Sequence, residues 1–281
     1  MADVSQVEFD HCRELALLPG SVFEFTSRFF PRAQLEPILA LYALRQAVSA
    51  IPKGPADESV KWAKLKWWSE ELVAQPEASS RHPVLRALWQ SGARARLSNS
   101  LLLRMVGDAL AQIDGVPVGD ENAMFERQAV IGATEIQLEL ALDDAEIEEK
   151  NLKFLGAATS SFHLISSFSA NHMSETSRLP LSLLAKYNVS AAQLEQKTGT
   201  AELNQIITEL ADNALDWFSE GMSGLNISSE SSVCAHLQLR WAMEKRRLKV
   251  IRKDACGFLE AGKYFGPADA WFAWRFLRKL R

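Results

Sequence analysis

Between residues 154 and 174 the chain runs for 21 residues without a charge: F-L-G-A-A-T-S-S-F-H-L-I-S-S-F-S-A-N-H-M-S. That length suffices to cross a bilayer. Yet the run is crowded with Ser and Thr and holds two histidines, His163 and His172. A segment with small polar residues among apolar ones on all faces suits a helix buried on most sides within a bundle, its hydroxyls turned to a cavity. Such a helix needs neighbours, and the remainder of the sequence must supply them.

Helical periods recur nearly everywhere and alternating β-branched runs are nearly absent, which predicts an all-α fold. Helices are expected over 4–17, 21–30, 35–53, 57–74, 98–113, 122–142, 201–222, 232–260 and 267–281, with a short one opened by His82-Pro83. Proline and glycine mark the breaks: Pro19-Gly20, Pro31, and Pro52 with Gly54 and Pro55. Pro37 falls near a helix start, where a missing N–H is tolerated. Within 35–53, Ile38, Leu41, Tyr42 and Val48 recur at spacings that place them on one inward stripe. Within 57–74, Trp62, Leu65 and Leu72 mark an apolar face, widened by Trp68 or Val73. The acidic linker over 143–149 reads as a solvated face, and no metal is expected there.

Cys12, Cys234 and Cys256 are odd in number and widely spaced, which excludes a disulfide framework and a zinc site and suits a reducing compartment. No basic and then apolar leader opens the chain, so no signal peptide is expected. The five histidines form no H-x-x-x-H or H-E-x-x-H spacing, and neither a P-loop nor G-x-G-x-x-G occurs.

Two stretches resemble one family. A-L-Y-A-L-R followed by V-S-A-I-P-K is similar to the first signature helix of the squalene/phytoene synthases, head-to-head prenyl transferases. L-G-A-A in the uncharged run, with L-P-L-S-L-L-A-K-Y-N-V-S from Leu179 to Ser190, is similar to the second. Trp67-Trp68 before Ser69-Glu70-Glu71 and His82-Pro83-Val84-Leu85 resemble the family's non-carotenoid bacterial and mitochondrial branches. The resemblance is clearest over 21–190 and implies one isoprenoid-synthase-type helical bundle over 1–281, with a central cavity.

In that family each signature helix carries aspartates. The resemblance places Ser49, Ala50 and Lys53 at the first set of positions and Ser167 and Asn171 at the second. It makes Tyr42, Arg45, Ser160, His163 and Ser166 candidates for the cavity wall or a ligand. Prenyl transfer begins by ionising an allylic diphosphate, and magnesium meets the charge of the departing pyrophosphate. Magnesium takes oxygen ligands, chiefly carboxylates, phosphates and water. Hydroxyls and an amide are weak neutral substitutes, and Lys53 repels a cation. Lys53 with His163 offers a metal-free diphosphate grip, which allows binding without the main term for ionisation.

No catalytic residue, metal or cofactor is therefore expected. The leading reading is a non-catalytic member acting as an assembly or interaction factor. It is similar to the mitochondrial branch with a phytoene-synthase-like domain that serves respiratory complex I assembly. Two alternatives stay open: an active, magnesium-dependent transferase condensing farnesyl or geranylgeranyl diphosphate, and an isoprenoid-lipid binding protein.

The tail leaves two readings open, a last bundle helix whose apolar side packs inward against the rest, and a surface for a protein or membrane partner; both hold if Trp271 and Trp274 are exposed. From Arg240 onward 12 basic residues face 4 acidic ones, giving +8, and the remainder carries 19 − 31 = −12. In the helix predicted over 267–281, Phe272, Phe276, Leu277 and Leu280 gather on one side. Trp271, Trp274, Arg275, Arg278 and Lys279 lie toward the other, suited to peripheral membrane or partner contact. A cytoplasmic protein, peripheral at the inner membrane, is the expectation, with no nucleic-acid partner.

Overall fold

A computed structural model of the chain describes residues 4–74, 80, 82–168, 179–190, 201–227, 231–261 and 265–280, with the backbone alone at 4–6, 32–33 and 259–261. Among them there is no strand, and a single parallel bridge joins Val118 to Pro180. The helices are α1 (Val4–Ala16), α2 (Val22–Ser27), α3 (Arg32–Lys53), α4 (Glu58–Val73), α5 (Pro83–Gln90), α6 (Ala93–Arg96) and α7 (Asn99–Ile113). They continue as α8 (Glu121–Ala141), α9 (Glu149–Phe168), α10 (Leu181–Lys186), α11 (Ala201–Met222), α12 (Ser232–Lys253), α13 (Ala255–Ala261) and α14 (Pro267–Leu280).

Local chemistry sets most boundaries. The hydroxyls of Ser21, Ser98 and Ser231 and the carboxylate of Asp120 accept N–H bonds at the starts of α2, α7, α12 and α8. His82 caps α5 through Nδ1, which accepts from the Val84 N–H at 3.3 Å. Pro31 holds an extended conformation, so α3 starts at Arg32 and Pro37 lies a turn further inside than its spacing suggests.

Two expectations need correction. The helix expected over 232–260 breaks at Asp254, whose side chain accepts from the Gly257 N–H at 2.8 Å and so starts α13. On α4, Leu65, Trp68 and Leu72 are buried, whereas Trp62 is 43% exposed and Val73 faces water. Trp62 lies about a quarter turn away from that trio, because three-residue steps drift round a 3.6-residue helix.

The uncharged run forms α9 as far as Phe168, and it is buried on nearly every side. Its tightest neighbour is α8: a Cβ on Gly132 would meet the Gly156 carbonyl oxygen at 1.9 Å, so the two backbones touch. On another side Gly221 of α11 makes room for Leu155, whose side chain a Cβ there would meet at 2.7 Å.

Two apolar cores result. One is built by α1, α3, α4, α5 and α7; the other by α9, α11 and α12 with parts of α10 and α13. Helix α8 serves both, sending Leu138 and its C-terminal cap Leu142 into the first and Ile136 and Leu140 into the second. Burial of these side chains stabilises the fold by roughly 25 cal/mol per Å² of apolar surface. A cavity lies between the two cores. No helix among the described residues is long and apolar enough to cross a membrane.

Candidate functional site

The cavity has a volume of about 670 Å³ and is walled by α2, α3, α7, α8, α9 and α12. Its stripe of apolar side chains includes Phe23, Met105, Phe162, Phe258 and Phe265. Tyr42, Arg45, Ser49, Ala50, Lys53, Ser160, His163, Ser166 and Ser167 all line it. Those candidates, drawn from two distant stretches of sequence, are therefore brought together. Asn171 lies outside the described residues.

One wall carries a buried network of charges. Glu139, fully buried, accepts at one oxygen from the Tyr42 hydroxyl at 3.1 Å, Arg45 at 3.0 Å and Arg240 at 2.9 Å. Arg45 also pairs with Glu135. Arg240 donates to Glu244 at 3.0 Å, and the second oxygen of Glu244 accepts from the Thr159 hydroxyl at 3.1 Å. His163 stands between Glu135 and Glu244, at 3.5 and 3.7 Å. Water reaches 41% of its side chain from the cavity.

The titration behaviour follows this geometry. Burial opposes a charge on His163, but the two carboxylates beside it, Glu135 and Glu244, outweigh it and raise the imidazole above its ordinary value. Burial also opposes ionisation of Glu135; Arg45 and His163 win and hold its carboxyl well below the usual range. Burial pushes Glu139 up, with Arg240 and Arg45 pulling against it. Burial alone dominates Tyr42 and keeps its phenol protonated. Burial pushes Asp108, which also lines the cavity, up to about 6.

The polar atoms of Tyr42 and Arg45 are thus spent on glutamates, which alters the expectation that they meet a ligand. His163 is aimed at two carboxylates, and Lys53 lines the same cavity. Ser160 donates to Gln128. Glu135, Glu139, Arg240 and Glu244 were missed by the sequence reading: Arg240 and Glu244, four apart, resemble an ordinary surface ion pair, and Glu135 and Glu139 resemble the solvated face of a helix. A signal did exist for Arg240: the run V-C-A-H-L-Q-L-R-W-A-M around it is apolar on every face of α12.

The donor set can be tested for magnesium, the ion an active family member would hold. At the described aligned positions stand two hydroxyls, a methyl and an ammonium. The hydroxyls are turned back on their own helices: Ser49 donates to the Gln46 carbonyl at 3.5 Å and Ser167 to the Leu164 carbonyl at 2.6 Å. The wall's glutamates are held by guanidiniums and His163. These residues do not fit magnesium. Among the described residues no group of three His, Cys, Asp or Glu converges elsewhere. In the acidic linker Asp143 accepts from Ser231 and from the Cys234 N–H at 3.3 Å, while Glu146, Glu148 and Glu149 are exposed.

Trp271, Trp274, Arg275, Arg278 and Lys279 lie apart from the cavity lining, exposed on α14.

The family model for squalene/phytoene synthases matches residues 19–263. A crystal structure of a dehydrosqualene synthase in complex with ligand superposes with a TM-score of 0.69 at 15% identity, covering 98% of this chain and 96% of that one. The squalene synthase HpnC from Alicyclobacillus acidocaldarius gives 0.66 at 17% identity, covering 89% and 95%. No curated protein sequence matches the chain.

Proposed function

The chain belongs to the squalene/phytoene synthase family, and from that premise we propose that it is a non-catalytic member serving as an assembly or interaction factor. The observation that carries this reading is the state of the cavity's carboxylates. None stands at the described aligned positions, and Glu135, Glu139 and Glu244 are bound to Arg45, Arg240 and His163. An allylic diphosphate loses pyrophosphate only when the developing charge is met by metal and cations. Here the acids that would hold the metal are absent or already neutralised. The likeness to the branch that serves respiratory complex I assembly supports a role beside a membrane complex.

A second reading, isoprenoid-lipid binding, is favoured by the cavity itself. Its volume of about 670 Å³ and aromatic lining fall within the range of small-molecule sites.

The test is turnover of farnesyl and geranylgeranyl diphosphate with magnesium, with and without NADPH, product read by mass spectrometry and pyrophosphate by a coupled assay. No product is expected from folded protein, and a magnesium-dependent condensation product would falsify the proposal. Lipid extracted from the purified protein would favour the second reading. Loss of an assembled respiratory complex on deletion of the gene would favour the first.

A further inference from the structure

Helix α14 is divided lengthwise. At 100° per residue, Phe272, Ala273, Phe276, Leu277 and Leu280 fall in one arc of about 140°, and Trp271, Trp274, Arg275, Arg278 and Lys279 fill an opposite arc of about 140°. The first arc is spent inside the molecule. Ala273 is fully buried, and Phe272, Phe276 and Leu277 pack against the second core. Asp269, the helix's single acid, is also turned inward, accepting from Arg246 at 2.8 Å and from the Gly266 N–H at 3.0 Å.

The second arc faces water. Trp271 is 58% exposed and Trp274 50%. The Arg275 guanidinium lies 5.2 Å over the Trp271 ring and that of Arg278 lies 4.8 Å over Trp274. Two indoles, each carrying a cation one turn along, make a ridge with no acid in it. Indole is favoured at the headgroup boundary, where its body is apolar and its N–H wet. The cations suit anionic lipid.

The chain from Arg240 onward carries 12 − 4 = +8 and the rest carries −12. Part of that surplus is spent inside the molecule, Arg240 on Glu139 and Glu244 and Arg246 on Asp269, whereas Arg275, Arg278 and Lys279 stand exposed on α14 itself. A protein partner would be recognised through a pocket around a buried anchor; this face is a convex helix edge.

We propose that the Trp-Arg face of α14 docks the protein peripherally on an anionic bilayer. The contact is made by a face already held in shape by the core, so docking requires no refolding.

Flotation of the full chain with vesicles of phosphatidylcholine, and of phosphatidylcholine containing phosphatidylglycerol, tests this. Binding is expected to the anionic vesicles only, and to fall with added salt. Trp271→Ser with Trp274→Ser should abolish it without changing the melting temperature. Arg275→Gln and Arg278→Gln should each weaken it about fivefold. Trp62→Ser with Trp67→Ser, which removes the exposed indoles of α4, should leave it unchanged. Equal binding to neutral vesicles, no binding to either, or binding that survives loss of both α14 indoles would overturn the proposal. So would capture of a protein on this face by a chain that ignores vesicles. Every one of these readouts is independent of prenyl turnover.

Discussion

The guanidinium of Arg240 stands 2.9 Å from Glu139 and 3.0 Å from Glu244, and all three side chains are buried. Replacing it by methionine leaves two carboxylates facing an apolar side chain, and removal of one partner of a buried pair costs about 3–5 kcal/mol. Urea denaturation of Arg240→Met should show a loss of that size. Two histidines give the molecule a pH dependence of known sign. His236 is enclosed by Phe23, Phe30 and Tyr42, and its Nε2 lies 3.0 Å from the Thr26 hydroxyl. Burial, helped by Arg240, lowers its pKa from 6.5 to about 3. The unfolded chain therefore takes up a proton first, and stability should fall as pH drops below 6.5, by about 1.4 kcal/mol per pH unit. His163 works in the opposite sense: its raised value gives stability that is complete below 6.5 and lost as pH climbs through the folded value. Glu135, held low, loses its contribution only below the ordinary glutamate value of 4.5. Asp108, held up to about 6, works against His236 between pH 6 and 4.5, so the signs are read from variants: against the parent chain, His236→Gln should lose less stability on acidification below pH 6.5, and His163→Gln should lose less as pH climbs above 6.5.

At the scale of elements, the contact between α8 and α9 is backbone on backbone. Gly132→Ala would place a methyl against the Gly156 carbonyl, with no flexible side chain to yield, and should destabilise by about 1–3 kcal/mol or more. Gly107, inside α7, has open space where a Cβ would lie, so Gly107→Ala should stabilise by about 0.5–1 kcal/mol. Opposite shifts of melting temperature from two identical substitutions would check the pair. Most helices were legible in the sequence, because serine caps, prolines and apolar stripes act locally. Asp254 was not, since a carboxylate that caps the next helix looks like any charged residue in a basic one. Tyr42, Arg45 and His163 were legible through the signature helices around them. Their partners Glu135, Glu139 and Glu244 were not, because facing between helices is a long-range fact that i and i+4 spacing does not encode.

For the whole molecule the polar wall lies where the two apolar cores meet. Tyr42 and Arg45 come from the core built by α1, α3, α4, α5 and α7, while Glu244, Arg240 and His163 come from the core of α9, α11 and α12. Charges at that seam tie one half to the other. Arg45→Met should loosen the tie while leaving each core packed, so amides of α3 and α7 should exchange with solvent at a lower free energy than those of α9 and α12. Hydrogen exchange that stays uniform across both sets would count against this division. One consequence reaches beyond any single variant. A single oxygen of Glu139 serves Tyr42, Arg45 and Arg240 together. These positions cannot drift one at a time: a library randomised at 42, 45, 135, 139 and 240 and selected for folding should return correlated sets, either the full complement of charges or a jointly apolar replacement, with the half-changed intermediates missing.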